Sequence, residues 1–225
     1  STTELTGAVR DAVADRIGFF LGLDDDLTEF YQLAADDPGF DVVARRLRGY
    51  HQVKFASPRE NVCWAILAQR NPMPVAQRMK RALIAAFDNT VSLAGVDYTA
   101  FPDLDQLATL DVAELTGLIG NHRKAGYLAG AVDALRTVDE TFLRHGPLPD
   151  VRQFLLDIPG IGPWSAAFVL IRGLGRTEEI PADKALLTAA AKVYGRPLSN
   201  AEFLARAQRY GAWKGYWGHY LRVAA

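Results

Sequence analysis

Apolar residues recur along most of the chain at intervals of three and four, the spacing of helices with one buried face. Leu5, Val9, Val13, Ile17, Phe20 and Leu21 form the first such stripe, and Gly22 follows as its stop signal. Two shorter helical stretches, 27–33 and 40–50, are split by Asp36-Asp37-Pro38-Gly39. Ser57-Pro58-Arg59-Glu60 has the form of a capping box with proline at the first helical position. It opens a helix carrying Val62, Ala65, Ile66 and Gln69. Asn71-Pro72-Met73-Pro74 interrupts the pattern before a further helix over 75–87. Helices near 103–109, 111–119, 122–137 and 138–144 follow. Strand-like alternation is nearly absent, and there is no internal repeat or low-complexity tract. The pattern predicts an all-α protein.

The most informative stretch runs from 149 to 195. A helix with Val151, Phe154 and Leu155 on its apolar side leads into Ile158-Pro159-Gly160-Ile161-Gly162. A second helix follows at once, Pro163-Trp164-Ser165-Ala166-Ala167-Phe168-Val169-Leu170-Ile171, with so few polar residues that most of its sides should be buried. Two glycines flanking one aliphatic residue permit positive φ and leave the backbone bare on its outer side. By itself this is a tight turn. It is also a cradle in which the amides of Gly160, Gly162 and Trp164 converge on an anion at a helix N-terminus, holding phosphate without reading sequence.

Beyond it, Asp183 heads a stripe made of Leu186, Leu187, Ala190, Ala191 and Tyr194. That register turns its carboxylate toward packed protein and away from bulk water. An Asp capping its own helix amides is the alternative. Trp213, Tyr216, Trp217 and Tyr220 form a C-terminal aromatic stripe, read mainly as packing, and Trp64 is expected in the core.

Composition narrows the chemistry. One cysteine among 225 residues, Cys63, excludes a disulfide framework, a cysteine-ligated zinc site and a four-cysteine iron–sulfur cluster. No His pair has the spacing of a catalytic metal site, and Gly173-Leu174-Gly175 follows a helix, so it fails as a dinucleotide-binding loop. No apolar run approaches the ~20 residues of a membrane span, and no signal peptide is visible. The chain begins with Ser, so the initiator Met, at least, is expected to have been removed or replaced. The net charge of −1 hides an asymmetry: residues 1–43 hold ten acids against Arg10 and Arg16, so this segment carries −8 and the remainder +7. Such a distribution allows a basic face toward phosphates, and equally an acidic solvated helix with no bearing on binding.

The segment Leu156-Asp157-Ile158-Pro159-Gly160-Ile161-Gly162-Pro163-Trp164-Ser165-Ala166-Ala167, followed by Ile180-Pro181-Ala182-Asp183, resembles the helix-hairpin-helix–Gly/Pro–Asp signature of base-excision DNA glycosylases. Within that superfamily it looks most like the bacterial 3-methyladenine DNA glycosylase II group. Ile66-Leu67-Ala68-Gln69, Phe101-Pro102 and His122-Arg123-Lys124-Ala125 match further landmarks, so the likeness spans roughly residues 20 to 220.

The resemblance implies a two-lobed helical fold with a cleft between lobes. N-terminal helices over 1–57 would pack with the C-terminal lobe, a central lobe over 58–175 would end in the hairpin, and helices over 176–225 would carry Asp183. Most of the N-terminal β-rich domain of the larger relatives would be absent. Function follows in the same terms: a monofunctional DNA glycosylase that flips alkylated bases out of duplex DNA and excises them hydrolytically, for base excision repair. Asp183 is the catalytic carboxylate, stabilising the oxocarbenium-like charge as the glycosidic bond breaks. Gly160, Ile161, Gly162 and Trp164 hold the DNA backbone. Trp164, Phe168 and Trp217 are candidates for the base pocket, where aromatic faces recover stacking and attract a cationic alkylated base.

Relatives that also cut the backbone carry a Schiff-base lysine where this chain has Trp164, so no lyase step is expected. Arg70, with Met73 nearby, stands where close relatives present a wedge leucine. A pocket-lining C-terminal aromatic of some relatives is missing. No cofactor is required, but a monovalent cation, Na+ or K+, on the main-chain carbonyls of Leu156, Ile158 and Ile161 is implied. The expected partners are damaged double-stranded DNA and a downstream abasic-site endonuclease, with a monomeric protein in the cytoplasm, at the nucleoid in a bacterium. A non-catalytic helix-hairpin-helix module, or a glycosylase for oxidised or mismatched bases, is the competing reading.

Overall fold

In the computed structural model, which describes residues 6–181 and 183–225, the chain runs through helices α1 (Gly7–Leu21), α2 (Thr28–Ala35), α3 (Pro38–Arg46), α4 (Pro58–Ala68) and α5 (Met73–Ala85). A hairpin of β1 (Thr90–Leu93) and β2 (Val96–Thr99) precedes α6 (Leu104–Leu107), α7 (Val112–Ile119), α8 (His122–Leu135), α9 (Glu140–His145) and α10 (Leu148–Asp157). Then come α11 (Pro163–Leu174), α12 (Lys184–Val193), α13 (Asn200–Arg209), a 3-10 turn at Gly211–Trp213 and α14 (Lys214–Ala224). The class is all-α, as the periodicity predicts. Leu5 and Ala182, both named above, lie outside the described residues.

Local chemistry sets most of the boundaries. Asp103, Asp111 and Ser199 form complete capping boxes, each satisfying a helix amide while the N3 side chain returns the bond. Gly22 ends α1 in the left-handed conformation (φ +70°), the expected stop. At Ser57 half of the predicted box is present. Its hydroxyl accepts from the Glu60 amide, but the Glu60 carboxylate pairs with Lys80 instead. The β hairpin was not predicted. Val91 faces Tyr98 and Leu93 faces Val96, all four exposed, around a turn with positive φ at Ala94 and Gly95.

The chain divides into two compact units, one formed by residues up to 56 together with 170 onward, the other by 57–169. The core of the first is aromatic. Phe30 lies edge-on to Tyr220 (4.9 Å) and Phe40 edge-on to Tyr210 (5.5 Å), while Trp217 stacks on Tyr210 at 19° and sits 5.1 Å from Phe203. Trp217 is fully buried and its indole N–H donates to the Tyr194 hydroxyl. This corrects its placing in the base pocket, because the indole is fully enclosed among Tyr210, Phe203 and Phe40 of the core. Asp37, 2% exposed, accepts from the hydroxyls of Tyr194 (2.7 Å) and Tyr210 (3.2 Å), with the Arg206 guanidinium at 3.5 Å. Burial first, and then Asp37, raise the pKa of both phenols, so they remain donors at any ordinary pH.

The N-terminal stripe forms its helix but not a buried face. Val13 and Ile17 are about half exposed (48% and 49%), and Phe19 is the α1 side chain that buries. In the second unit, α4 is almost wholly enclosed. Val62, Ile66 and Leu67 meet a core that includes Leu83 of α5, Leu115 of α7, and Leu128 and Ala131 of α8. Val151 and Leu155 of α10 are fully buried, which anchors the helix that leads to the hairpin. Among the described residues no helix is long and apolar enough to cross a membrane.

Removing a buried carboxylate that serves two phenols and a guanidinium strands all three donors. Asp37→Ala is expected to lower unfolding stability by about 3 kcal/mol, read from urea denaturation midpoints. A loss below about 1 kcal/mol would make the network incidental to the fold.

Candidate functional site

The hairpin of the second unit is fixed from three directions. The Ile161 amide donates to the Ile158 carbonyl (3.0 Å), closing the turn, and both isoleucine side chains are buried. Gly160 has φ +86°, and a Cβ there would stand 2.4 Å from the Tyr127 ring, so its glycine is required twice. Gly162 differs. It lies outside the positive-φ set, a Cβ on it would meet nothing within 4 Å, and it is exposed. Positive φ is therefore needed at one glycine only, and the other supplies bare backbone at the N-terminus of α11. The third tie comes from Gln69, whose side-chain amide donates to the Gly160 carbonyl (2.7 Å) and to Ser165 Oγ (3.0 Å).

Gln69 closes the C-terminal end of α4, and a partly buried cation holds that end. Lys124 Nζ donates to the carbonyls of Ile66, Leu67 (2.9 Å) and Gln69 (2.8 Å), at a helix end whose last carbonyls lack intrahelical amide partners; the Leu67 oxygen also accepts from the Asn71 side-chain amide (2.9 Å). Burial pulls the Lys124 pKa below its usual value. The chain then enters the left-handed region at Arg70 (φ +52°), an exposed non-glycine residue in a conformation that costs of order 1 kcal/mol. Arg123 donates from Nε to the Tyr127 hydroxyl (2.7 Å) and lies 5.4 Å from that ring's centroid. A cavity of about 550 Å3 opens among these groups, lined by Gln69, Arg70, Asn71, Arg123, Lys124, Tyr127 and residues 160–162. Its cationic rim, set beside the exposed backbone at Gly162, suits a polyanion.

On α11, Trp164 stacks on Phe168 one turn later, with ring centroids 5.5 Å apart and 7° between planes. Trp164 is 46% exposed and Phe168 partly buried, so the pair offers an aromatic platform propped from behind. Met73 starts α5 and is 55% exposed. Trp64 is only partly buried, with Lys80 Nζ 5.9 Å from its ring, so it is less enclosed than expected.

In the first unit Asp183 combines the two geometries that the sequence left open. It caps α12, with Oδ1 accepting from the Leu186 amide (2.8 Å). Its other oxygen accepts from the Arg222 guanidinium on α14 (2.8 Å), and the carboxylate side chain is 26% exposed. Of the stripe it heads, Leu186 and Ala190 are buried while Leu187, Ala191 and Tyr194 are only partly so, and Ala189 beside them is buried as well. His219, one turn before Arg222, stacks on Tyr50 (5.4 Å, 14°). Burial first, then the charges of Arg172 and Arg222, push its pKa down to about 4, so it is neutral near pH 7.

The candidates thus fall into three groups. The structure brings together Arg70 with Gly160, Ile161 and Gly162, places Trp164 with Phe168, and joins Asp183 to Arg222. Sequence reasoning passed over the parts played by Lys124, Tyr127 and Arg222, and quoted Gln69 only as a landmark. The available signal was a lone polar side chain at the edge of an apolar helical run, which marks a bonded polar group more often than a solvated one.

No protein-family model matches the chain. It is 27% identical over 217 residues to the DNA-3-methyladenine glycosylase of Bacillus subtilis, covering 94% of this chain and 72% of that protein. Among solved structures, the 3-methyladenine DNA-glycosylase of Archaeoglobus fulgidus superposes with a TM-score of 0.81 at 22% identity, over 98% of this chain and 76% of that one. An 8-oxoguanine glycosylase/lyase of Clostridium acetobutylicum gives 0.79 at 18% identity, over 96% and 76%. With the hairpin and Asp183 already in place, these likenesses show that the chain has the fold of the helix-hairpin-helix DNA glycosylases and is similar in sequence to a protein named DNA-3-methyladenine glycosylase.

Proposed function

We propose that the protein is a monofunctional DNA glycosylase that extrudes an alkylated base of the 3-methyladenine type from duplex DNA and hydrolyses its glycosidic bond. The observation that carries this reading is Asp183, a partly buried carboxylate held by two donors on the two sides, Leu186 N–H and Arg222. A fixed anion of this kind stabilises positive charge developing on the sugar far better than a mobile one, since it needs no reorganisation. As the bond from C1′ to the base breaks, the electron pair leaves with the base, water adds to C1′, and the proton that this water loses passes to solvent. A base already cationic through alkylation departs neutral, so the leaving group needs no proton from the protein.

The other residues share the remaining work. The amides of Gly160, Gly162 and Trp164 take a backbone phosphate, and Arg70 and Arg123 neutralise its neighbours. Arg70, or Met73 beside it, fills the gap left by the extruded base; the strained left-handed backbone at Arg70 supports the first. The Trp164–Phe168 platform receives the base by stacking. Trp164 stands where lyase relatives carry lysine and cannot form a Schiff base, which supports simple hydrolysis to an abasic site for a downstream endonuclease. The protein would act as a monomer inside the cell, where its DNA is. The Leu156, Ile158 and Ile161 carbonyls are neutral oxygens that suit a monovalent cation. Ile158 O accepts one hydrogen bond, from Ile161, and keeps a second lone pair. Bound there, Na+ or K+ would brace the hairpin and lend positive charge toward phosphate.

Incubation with methylated duplex DNA is expected to release alkylated base without strand cleavage. Asp183→Asn should lose at least about 100-fold in rate while still binding the duplex. Undiminished release by that variant would sink the mechanism, and binding with no release from any damaged duplex would favour a binding module. A duplex carrying 8-oxoguanine forms the specificity arm, where preferential release of that base would displace the alkylation reading.

The two hairpin glycines predict opposite behaviour. Gly162→Ala should fold with unchanged Tm, because its methyl meets no neighbour, yet bind DNA several-fold more weakly by covering the outward amide. Gly160→Ala should lose at least about 2 kcal/mol of stability through the left-handed φ and the Tyr127 clash. Calorimetry and fluorescence-anisotropy titration separate these outcomes. Equal Tm losses, or unaltered affinity in Gly162→Ala, would contradict the cradle.

A further inference from the structure

We infer that Arg222 is a positioning residue for the reaction, holding the Asp183 carboxylate ionised and in one orientation; this rests on the reading of Asp183 given above. The argument starts from how α14 is seated. Its buried side chains, Trp217, Tyr220 and Leu221, are locked in the aromatic core, so the helix has little freedom to shift. On another face lie Gly215, Gly218 and Arg222, at helical offsets of zero, three and seven. A Cβ on Gly215 would stand 3.1 Å from Thr177 Cα, and one on Gly218 would stand 3.1 Å from Ile180 and 3.4 Å from Leu186. The glycines let α14 press against the segment that carries Asp183. One turn beyond the closest approach, Arg222 meets Asp183 Oδ2 at 2.8 Å.

The carboxylate is thereby gripped at both oxygens by partners on different elements, the Leu186 amide of α12 and the guanidinium of α14. Either contact alone would leave rotation about the Cβ–Cγ bond free to move the second oxygen. Together they define the plane of the group, which a charge acting at short range on C1′ requires. The guanidinium also favours the anionic form. His219 on α14 is neutral near pH 7, Arg172 on α11 is partly buried and unpaired at Nε, Tyr50 stacks on His219, and Lys184 on α12 points outward and is exposed. Arg222 bonds directly to the carboxylate.

The test measures single-turnover base release against pH for Arg222→Met and Arg222→Lys. The Met variant should lose at least tenfold in rate with KM for DNA within twofold of wild type. Its acid limb should move upward by about one pH unit, since loss of the cation makes the carboxylate easier to protonate. The Lys variant should recover part of the rate and return the limb. In an Asp183→Asn background Arg222→Met should cost nothing further, because the arginine acts through the carboxylate. A wild-type rate and acid limb in Arg222→Met, or full additivity in the double variant, would overturn the inference. If the wild type releases no base at all, the assignment of function fails instead. The pair is then judged by carboxyl 13C NMR titration of Asp183, where an unchanged midpoint in Arg222→Met would overturn it and a raised one would uphold it.

Discussion

Lys124 holds a charge partly withdrawn from water against three carbonyl oxygens at the end of α4. An ammonium is costly to desolvate, and only an arrangement that returns its hydrogen bonds makes the position tolerable. A helix C-terminus is such an arrangement, since its last carbonyls lack amide partners and carry the negative end of the helix dipole. The pairing therefore solves two problems at once. It also makes the end of α4 rigid, and the neighbouring features are referenced to that end: Gln69 reaches the hairpin carbonyl at Gly160, and Arg70 leaves in the left-handed conformation. If the α4 terminus frayed, the hairpin would lose its lateral tie and Arg70 the support for its strained backbone.

The same logic governs Asp183. N-capping and catalysis are often treated as rival roles for an Asp at a helix start, because a carboxylate bonded to its own amides looks spent. Here the cap uses one oxygen and Arg222 the other, so the cap acts as half of a clamp. A helix N-terminus also presents partial positive charge, which stabilises the anion on which the proposed chemistry depends. Helix ends thus supply the proposed phosphate cradle at α11, the bracket at α4 and the carboxylate mount at α12. Inside a helix the same backbone groups would be bonded to one another and could hold nothing else.

How much of this was legible in the sequence follows from which forces leave a local trace. Helices show through because apolar spacing and caps are local: Asp111, Ser199 and Gly22 act within four residues of themselves. The Ile158 to Gly162 motif and Asp183 were legible for the same reason, each being a short pattern with fixed offsets. The β1–β2 hairpin was not, because its four apolar side chains stay exposed and leave no buried face to read. Only the pair Ala94-Gly95, between short stretches that carry Thr90, Val91, Val96 and Thr99, marks it. Trp217 was misplaced because a stripe at offsets of three and four fixes a face without saying what that face meets; it met Tyr210 and Phe203. Val13 and Ile17 failed in the opposite direction, on a regular stripe left half exposed. The ties made by Lys124, Gln69 and Arg222 span 39 to 96 residues, and no local pattern encodes a partner at that distance.

One electrostatic tension remains within the proposed chemistry. A guanidinium bonded to the catalytic carboxylate offsets part of the field that would stabilise a cationic sugar, so an unpaired aspartate would seem the better catalyst. Magnitudes decide the matter. Both partners are about a third exposed, so their attraction is screened, and a surface pair contributes on the order of 1 kcal/mol. Misorientation of a catalytic group costs more, since a displacement of about 1 Å can lose 100-fold in rate, close to 3 kcal/mol. A screened arginine therefore weakens the field only modestly while preventing the larger loss. The partial exposure of the pair makes the trade favourable; deep burial would strengthen the attraction and neutralise the carboxylate at the moment its charge is needed.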